Sequence, residues 1–291
     1  MNDGRTVGEK PQLAEEPGAG FRSVSRIDVG EIETWSHSDV GRVRSINQDR
    51  CDEFAARGYR LLVVADGLGG HAGGEHASRI AVETIGSVFE KDDSKPEAFL
   101  HRAFAAANAN ILRESLQNAE LSGMGTTGVA LLIGADGAWT ANVGDSRVYR
   151  ARAGQLKQLS EDHSVIAAEV RAGRITEAEA RDHPLRNRLL RCLGQEGEVE
   201  IDVKACEYAP GDRFLLCSDG LWGVVDDQRI LAVLVHEDPE AAAQILVDLA
   251  NRGGGDDNIT VQIARIPGQP ESSLVSRWLL GRRRLAWRRT P

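Results

Sequence analysis

The chain has 291 residues, 41% of them hydrophobic and 27% charged, which suffices for one large domain or two small ones and excludes disorder throughout. The formal net charge of −9 argues against nucleic acid as a partner of the folded part. No apolar run approaches the ~18 residues that a membrane span needs. The polar N-terminus MNDGRTVGEK lacks a secretory h-region, and Cys51, Cys192, Cys206 and Cys217 form no C-x-x-C pair. The expectation is a cytoplasmic protein with free thiols.

Residues 1–30 are rich in Gly, Glu and Pro without periodicity and read as a flexible extension. A strand is expected at 31–37 and a buried one at 59–65. Residues 75–89 form an amphipathic helix with Ile80, Ala81, Ile85 and Val88 inward. The next helix starts near Ser94, where Ser94 and Glu97 have capping-box spacing, and its stripe runs from Phe99 to Leu112. Strand pairs at 128–133/138–143 and 147–152/155–159 predict an antiparallel meander.

Helices follow at 164–172 and 176–181, the second with a capping box from Thr176 to Glu179. Strands at 213–218 and 259–266 flank helices at 227–235 and 238–251, the last opening on Asp238-Pro239. Strand runs separated by helix pairs imply an α+β fold, a β-sandwich with helices packed outside.

Four aspartates stand where a backbone can bend around an ion: Asp66 in VVADGLGGH, Asp145 in NVGDSR, Asp219 in LLCSDG and Asp257 in GGGDDNIT. Taken singly, Asp-Gly is an ordinary turn pair. Together, unpaired carboxylates brought close would raise one another's pKa unless metals neutralised them. Oxygen-only ligation selects Mg²⁺, Mn²⁺ or Ca²⁺ over Zn²⁺. Two such ions sharing a carboxylate would activate a water for attack on phosphorus, so metal-assisted phosphoester hydrolysis is the first chemical reading. A rival nucleophile, the C-x5-R spacing of Cys51 and Arg57, is weakened by Asp52 and Glu53 and by an interval without glycine.

The ordered set SDVGRVRSINQD, VVADGLGGH, GTTGVALL, NVGDSRVYR, DHS, RNRLLRCLG, LLCSDGLW and DDNITV resembles the metal-dependent protein serine/threonine phosphatases of the PPM, or protein phosphatase 2C, type in their compact bacterial form. The resemblance covers roughly residues 34–266. It implies an α-β-β-α sandwich of two mainly antiparallel sheets with a binuclear Mn²⁺ or Mg²⁺ site at one end. It makes Asp66 the carboxylate bridging both metals, with the Gly67 carbonyl on one and Asp219 and Asp257 completing the other. Asp145 contributes to a third, weaker site, Asp49 orients waters and Arg44 binds phosphate, the last in keeping with a planar guanidinium.

Two positions depart from the family pattern. Gln48 stands where some members have glutamate, and Leu68 follows Asp66-Gly67 where eukaryotic members place a proton-donating histidine. His71 is the nearby candidate proton donor.

Residues 165–190 sit where the family carries a flap, with Arg171, Arg174, Arg181 and Arg186 either facing phosphoprotein or forming a solvated face. The domain is expected to end near 267. The stretch 268–291 is basic: from Glu271 onward six arginines against one acid carry +5, leaving −14 elsewhere. Around Trp278 and Trp287 (residues 276–289) it has the composition of a membrane-surface or acidic-partner contact.

The implied function is hydrolysis of phosphoserine and phosphothreonine on proteins, opposing a bacterial Ser/Thr kinase, by a monomer. The alternatives are a silent phosphoprotein-binding module of the same fold and a phosphatase in a sigma-factor partner-switching circuit.

Overall fold

The computed structural model describes residues 29–69, 72–181 and 183–268. The expected N-terminal extension up to residue 28, His71 and the basic stretch from 269 onward lie outside them. No helix among the described residues is long and apolar enough to cross a membrane.

The strands are β1 (Glu33–Asp39), β2 (Asp49–Ala56), β3 (Tyr59–Leu68), β4 (Gly125–Thr126), β5 (Gly128–Gly134), β6 (Gly137–Val143), β7 (Arg147–Arg152), β8 (Gln155–Gln158), β9 (Asp202–Cys206), β10 (Arg213–Cys217) and β11 (Ile259–Arg265). The helices are α1 (Ala72–Lys91), α2 (Pro96–Gln117), α3 (Val165–Arg171), α4 (Glu177–Arg181), α5 (Asp219–Trp222), α6 (Asp227–His236) and α7 (Pro239–Arg252). One antiparallel sheet runs β2-β3-β5-β6-β9, with β4 paired to the end of β3; the other runs β1-β11-β10-β7-β8.

Side-chain alternation along β3 builds the layers. Leu61, Val63 and Ala65 pack against α1 and α2, whereas Leu62 and Val64 meet Phe214, Leu216 and Ala264 of the second sheet. With both faces covered, β3 has to be apolar at nearly every position, and each fully buried Leu or Val contributes about 1.5–3 kcal/mol. The outer face of the second sheet (Tyr149, Leu215, Val261, Ile263) is closed by Ile230 and Leu234 of α6 and Leu246 and Val247 of α7. The result is the expected α-β-β-α sandwich.

Several local expectations change. Strand β1 lies two residues later than expected, and residues 29 and 30 belong to a 3-10 turn, Val29–Glu31, rather than to the extension. β2 and β9 were not anticipated; both are outer strands, and their charged sequences DRCDEFAA and DVKAC hide the pattern. The four-strand meander is two hairpins in different sheets, β5–β6 and β7–β8, because the chain crosses between sheets at residues 144–146.

The Ser94 capping box does not form. Helix α2 starts at Pro96, while Ser94 accepts from Arg102 and Glu97 accepts from Trp139. The Thr176 box does form: Thr176 N–H donates to Glu179 at 2.8 Å and Glu179 N–H to Thr176 Oγ1 at 3.3 Å.

Candidate metal centre

The centre begins with a strand pair. Asp49 and Asp66 are register partners on β2 and β3. The main chain of Asp66 is pinned twice over: its N–H donates to Thr127 Oγ1 at 3.0 Å, and its carbonyl accepts from Thr127 N–H and Thr126 Oγ1, both at 2.8 Å. Asp66 therefore lies within β3 and not in a turn beyond it. The next residue must be glycine, since a Cβ at Gly67 would overlap the Gly74 carbonyl oxygen at the start of α1.

Asp219 arrives from the second sheet as the first residue of α5, directly after β10. Its neighbour Ser218 joins the sheets: its Oγ donates to Asp49 Oδ2 at 2.7 Å and accepts from Thr260 N–H at 3.0 Å. Asp145 sits on the crossover between β6 and β7, behind Gly144 at φ +103°, and its carbonyl accepts from Trp222 Nε1 at 2.9 Å.

Asp257 precedes Asn258, whose 4%-exposed amide staples three segments. Asn258 Oδ1 accepts from Gln48 N–H at 2.8 Å, and Nδ2 donates to the carbonyls of Val40 at 2.9 Å and Ile46 at 3.0 Å. That staple fixes the loop carrying Arg44, whose guanidinium donates to Asp257 Oδ2 at 2.8 Å. Five aspartates from five separate segments, with one arginine at the rim, thus meet where the two sheets come together.

The electrostatics follow from that crowding. Burial first, then the carboxylates of Asp49, Asp219, Asp145 and Asp257, hold Asp66 well above the usual carboxylate range. Burial raises Asp49 to about 7, with Asp219 and Asp257 adding to the shift. Asp219 is pushed up to about 6 by burial and by Asp257, against a hydrogen bond with Asp66 that opposes the rise. Asp145 is raised well above the usual range by burial and Asp219. Such a cluster holds protons near neutral pH or takes up cations.

The donors fit a hard divalent cation: all are oxygens, and Asp49 Oδ1 and Asp219 Oδ1 are buried with no hydrogen-bond partner. Among the described residues, no three acidic, His or Cys side chains already stand in ligation geometry. The carboxylates are instead turned to Ser218, to Asn258 N–H, to Arg44 and to one another.

Asp49, Asp66, Gly67, Asp145, Asp219, Asp257 and Arg44 are thus brought to one region of the molecule. Gln48 lies beside them, its Nε2 donating to Gly69 O at 3.1 Å. The C-x5-R reading fails: Cys51 is inside β2 with its thiol pushed up by burial to about 11, and Arg57 caps the end of α1 through the Phe89 and Glu90 carbonyls. In the flap, Arg171 pairs with Glu161 and Arg174 with Glu169, so those two follow the solvated-face alternative. Sequence reasoning missed Ser218, Thr127, Asn258 and Trp222, although each adjoins or lies within a quoted motif.

The fold and the centre define an α-β-β-α sandwich domain with an all-oxygen acidic cluster and a rim arginine. The chain belongs to the protein phosphatase 2C family, whose model matches residues 36–258. It is 40% identical over 235 residues to the serine/threonine protein phosphatase PstP of Mycobacterium tuberculosis, a match covering 79% of this chain and 44% of that protein. The chain thus spans less than half the length of that relative. It is 36% identical over 231 residues to the serine/threonine phosphatase stp of Listeria monocytogenes, covering 77% of this chain and 92% of that one. The catalytic domain of PstP, solved in complex with two manganese ions, superposes with a TM-score of 0.71 at 36% identity, over 81% of this chain and 98% of that one.

Proposed function

We propose that the protein hydrolyses phosphoserine and phosphothreonine in phosphoproteins, with Mn²⁺ or Mg²⁺ as cofactor, and that it opposes a Ser/Thr protein kinase in the cytoplasm as a monomer. The observation that carries this reading is the meeting of five aspartates, two with orphaned buried oxygens, beside an arginine hydrogen-bonded to one of them. The names borne by its relatives supply the substrate class.

Asp66, the Gly67 carbonyl, Asp219 and Asp257 would hold two cations, and Asp145 with Asp219 a third, weaker one. When bound, they supply Lewis acidity, activating water and offsetting phosphoryl charge. The chain's own residues do the remaining work. Ser218 holds one oxygen of the Asp49 carboxylate, and the second, buried without a hydrogen-bond partner, would orient water. Arg44, which here donates to Asp257, would offer its two parallel N–H donors to phosphoryl oxygens of the substrate. Arg186, exposed in the flap, faces the phosphoprotein, and the stretch 276–289 serves as a contact to an acidic surface.

The test is hydrolysis of p-nitrophenyl phosphate and a phosphothreonine peptide in EDTA, Mg²⁺ or Mn²⁺, with Asp66→Asn and Asp219→Asn alongside. Cation-dependent turnover lost in both variants is the expected result. Folded protein that binds phosphopeptide without turnover under any cation would replace this reading by the silent binding module.

A further inference from the structure

The flap and the Asp145 crossover are held by the same residue. Gly144, immediately before Asp145, donates its N–H to His163 Nδ1 at 3.2 Å, and its carbonyl accepts from His163 N–H at 2.9 Å. The His163 carbonyl accepts from Leu190 N–H at 2.7 Å, where the flap returns, and the next residue, Ser164, caps the first flap helix by accepting from Ala167 N–H at 3.2 Å. Val165 N–H to Arg188 O at 2.8 Å closes the flap's neck.

His163 is 3% exposed, and its Nε2 lies 3.4 Å from Asp202 Oδ2 and 3.1 Å from the Arg191 guanidinium, so neighbours on both sides fix the ring. With Nδ1 accepting, the Nε2 proton points to Asp202. Two parallel ties reinforce the junction. Asn142 Nδ2 donates to Gly144 O at 3.2 Å and Glu161 O at 2.7 Å. Asp162 grips Arg147, which stacks 3.6 Å above the Trp222 ring that holds Asp145 O.

We propose that His163 is a positioning residue that couples the flap to the Asp145 carboxylate, so that flap order and cation affinity at Asp145 change together. This deepens the phosphatase reading and rests on Asp145 serving the metal centre. A flap gripped only at its tip by substrate would be felt at Asp145 through this junction, because both the N–H and the carbonyl of Gly144 are bonded to His163.

The experiment compares His163→Leu, which keeps bulk but removes the acceptor, with His163→Asn, whose Oδ1 takes the place of Nδ1. In metal-free protein, hydrogen exchange of residues 144–146 and of 165–190 should accelerate together in His163→Leu and return toward the parent in His163→Asn. In turnover, His163→Leu should need about tenfold more Mn²⁺ for half-maximal rate, the size of effect seen when a ligand's support is removed, with KM for p-nitrophenyl phosphate unchanged.

Acceleration confined to the flap, or His163→Asn behaving as His163→Leu, would overturn the proposal. A parent without cation-dependent turnover would sink the phosphatase reading instead, and the exchange result would still decide the coupling.

Discussion

Asp49 and Asp66 face each other across the β2–β3 pair, a like-charged couple at a position where cross-strand pairing disfavours it. The fold tolerates the pair because protons or cations neutralise it, and the sign of the resulting pH dependence is fixed. Asp49 is raised from 3.8 to about 7, so the folded state keeps a proton that the unfolded chain releases. Its contribution to stability is therefore greatest below 3.8, is lost as pH rises toward 7, and is level above. In EDTA, Asp49→Asn should melt higher than the parent at pH 8, by about 2 kcal/mol or roughly 4–8 °C, and by roughly a third of that at pH 5. Mn²⁺ should raise the parent's Tm more at pH 8 than at pH 5. Parallel melting curves for the two proteins across that range would refute the assignment.

Asn258 holds three backbone groups: Gln48 N–H, Val40 O and Ile46 O. Asn258→Ala removes all three bonds, and losing the partner of a buried polar group costs about 1–3 kcal/mol. The expected loss is about 3 kcal/mol in denaturant unfolding, together with a higher KM because the Arg44 loop loosens. Asn258→Asp keeps the acceptor alone and should fall between the two. An Asn258→Ala protein as stable as the parent would mean the loop is held elsewhere.

The acidic part of this centre could be read from the chain because each of Asp66, Asp145, Asp219 and Asp257 follows or adjoins a recognisable strand and glycine. Its scaffolding could not. Asn258 and Gln48 are 210 residues apart and Ser218 and Asp49 are 169 apart, contacts that exist only once the two sheets stack. The same holds for β2: as an outer strand it is only partly covered on each face, Phe54 and Ala56 on one and Cys51 on the other, and its charges mask a periodicity that in the fully covered β3 is plain. Ser94 shows the converse error, a correct local signature overridden by Pro96 and by the partners of Arg102 and Trp139.

Gly220 and Gly67 are required by packing and not by φ. A Cβ at Gly220 would overlap the Asn258 carbonyl oxygen, and one at Gly67 the Gly74 carbonyl oxygen; neither neighbour is a flexible side chain. Gly220→Ala and Gly67→Ala should each lose more than about 3 kcal/mol or fail to accumulate as soluble protein. Gly197 supplies the contrast, with open space around it but φ +82°. Gly197→Ala should lose only about 1 kcal/mol from backbone strain. Equal losses at all three sites, by chemical denaturation, would show that crowding is not what selects glycine at the centre.

Arg44 gives the sharpest separation of stability from function. Its pair with Asp257 is half exposed, with side-chain exposures of 51% and 35%, and exposed pairs contribute about 0–1 kcal/mol. Arg44→Ala should therefore leave Tm within roughly 3 °C of the parent. Its kinetic effect should be far larger, because the guanidinium offers two parallel donors to phosphoryl oxygens. KM for a phosphothreonine peptide is expected to rise by about tenfold or more, and inorganic phosphate should inhibit correspondingly more weakly. Arg44→Lys keeps the charge but not the fork, so it should recover only part of the affinity. Full recovery by lysine would reduce the role of Arg44 to charge alone; unchanged KM in Arg44→Ala would remove it from the phosphate site.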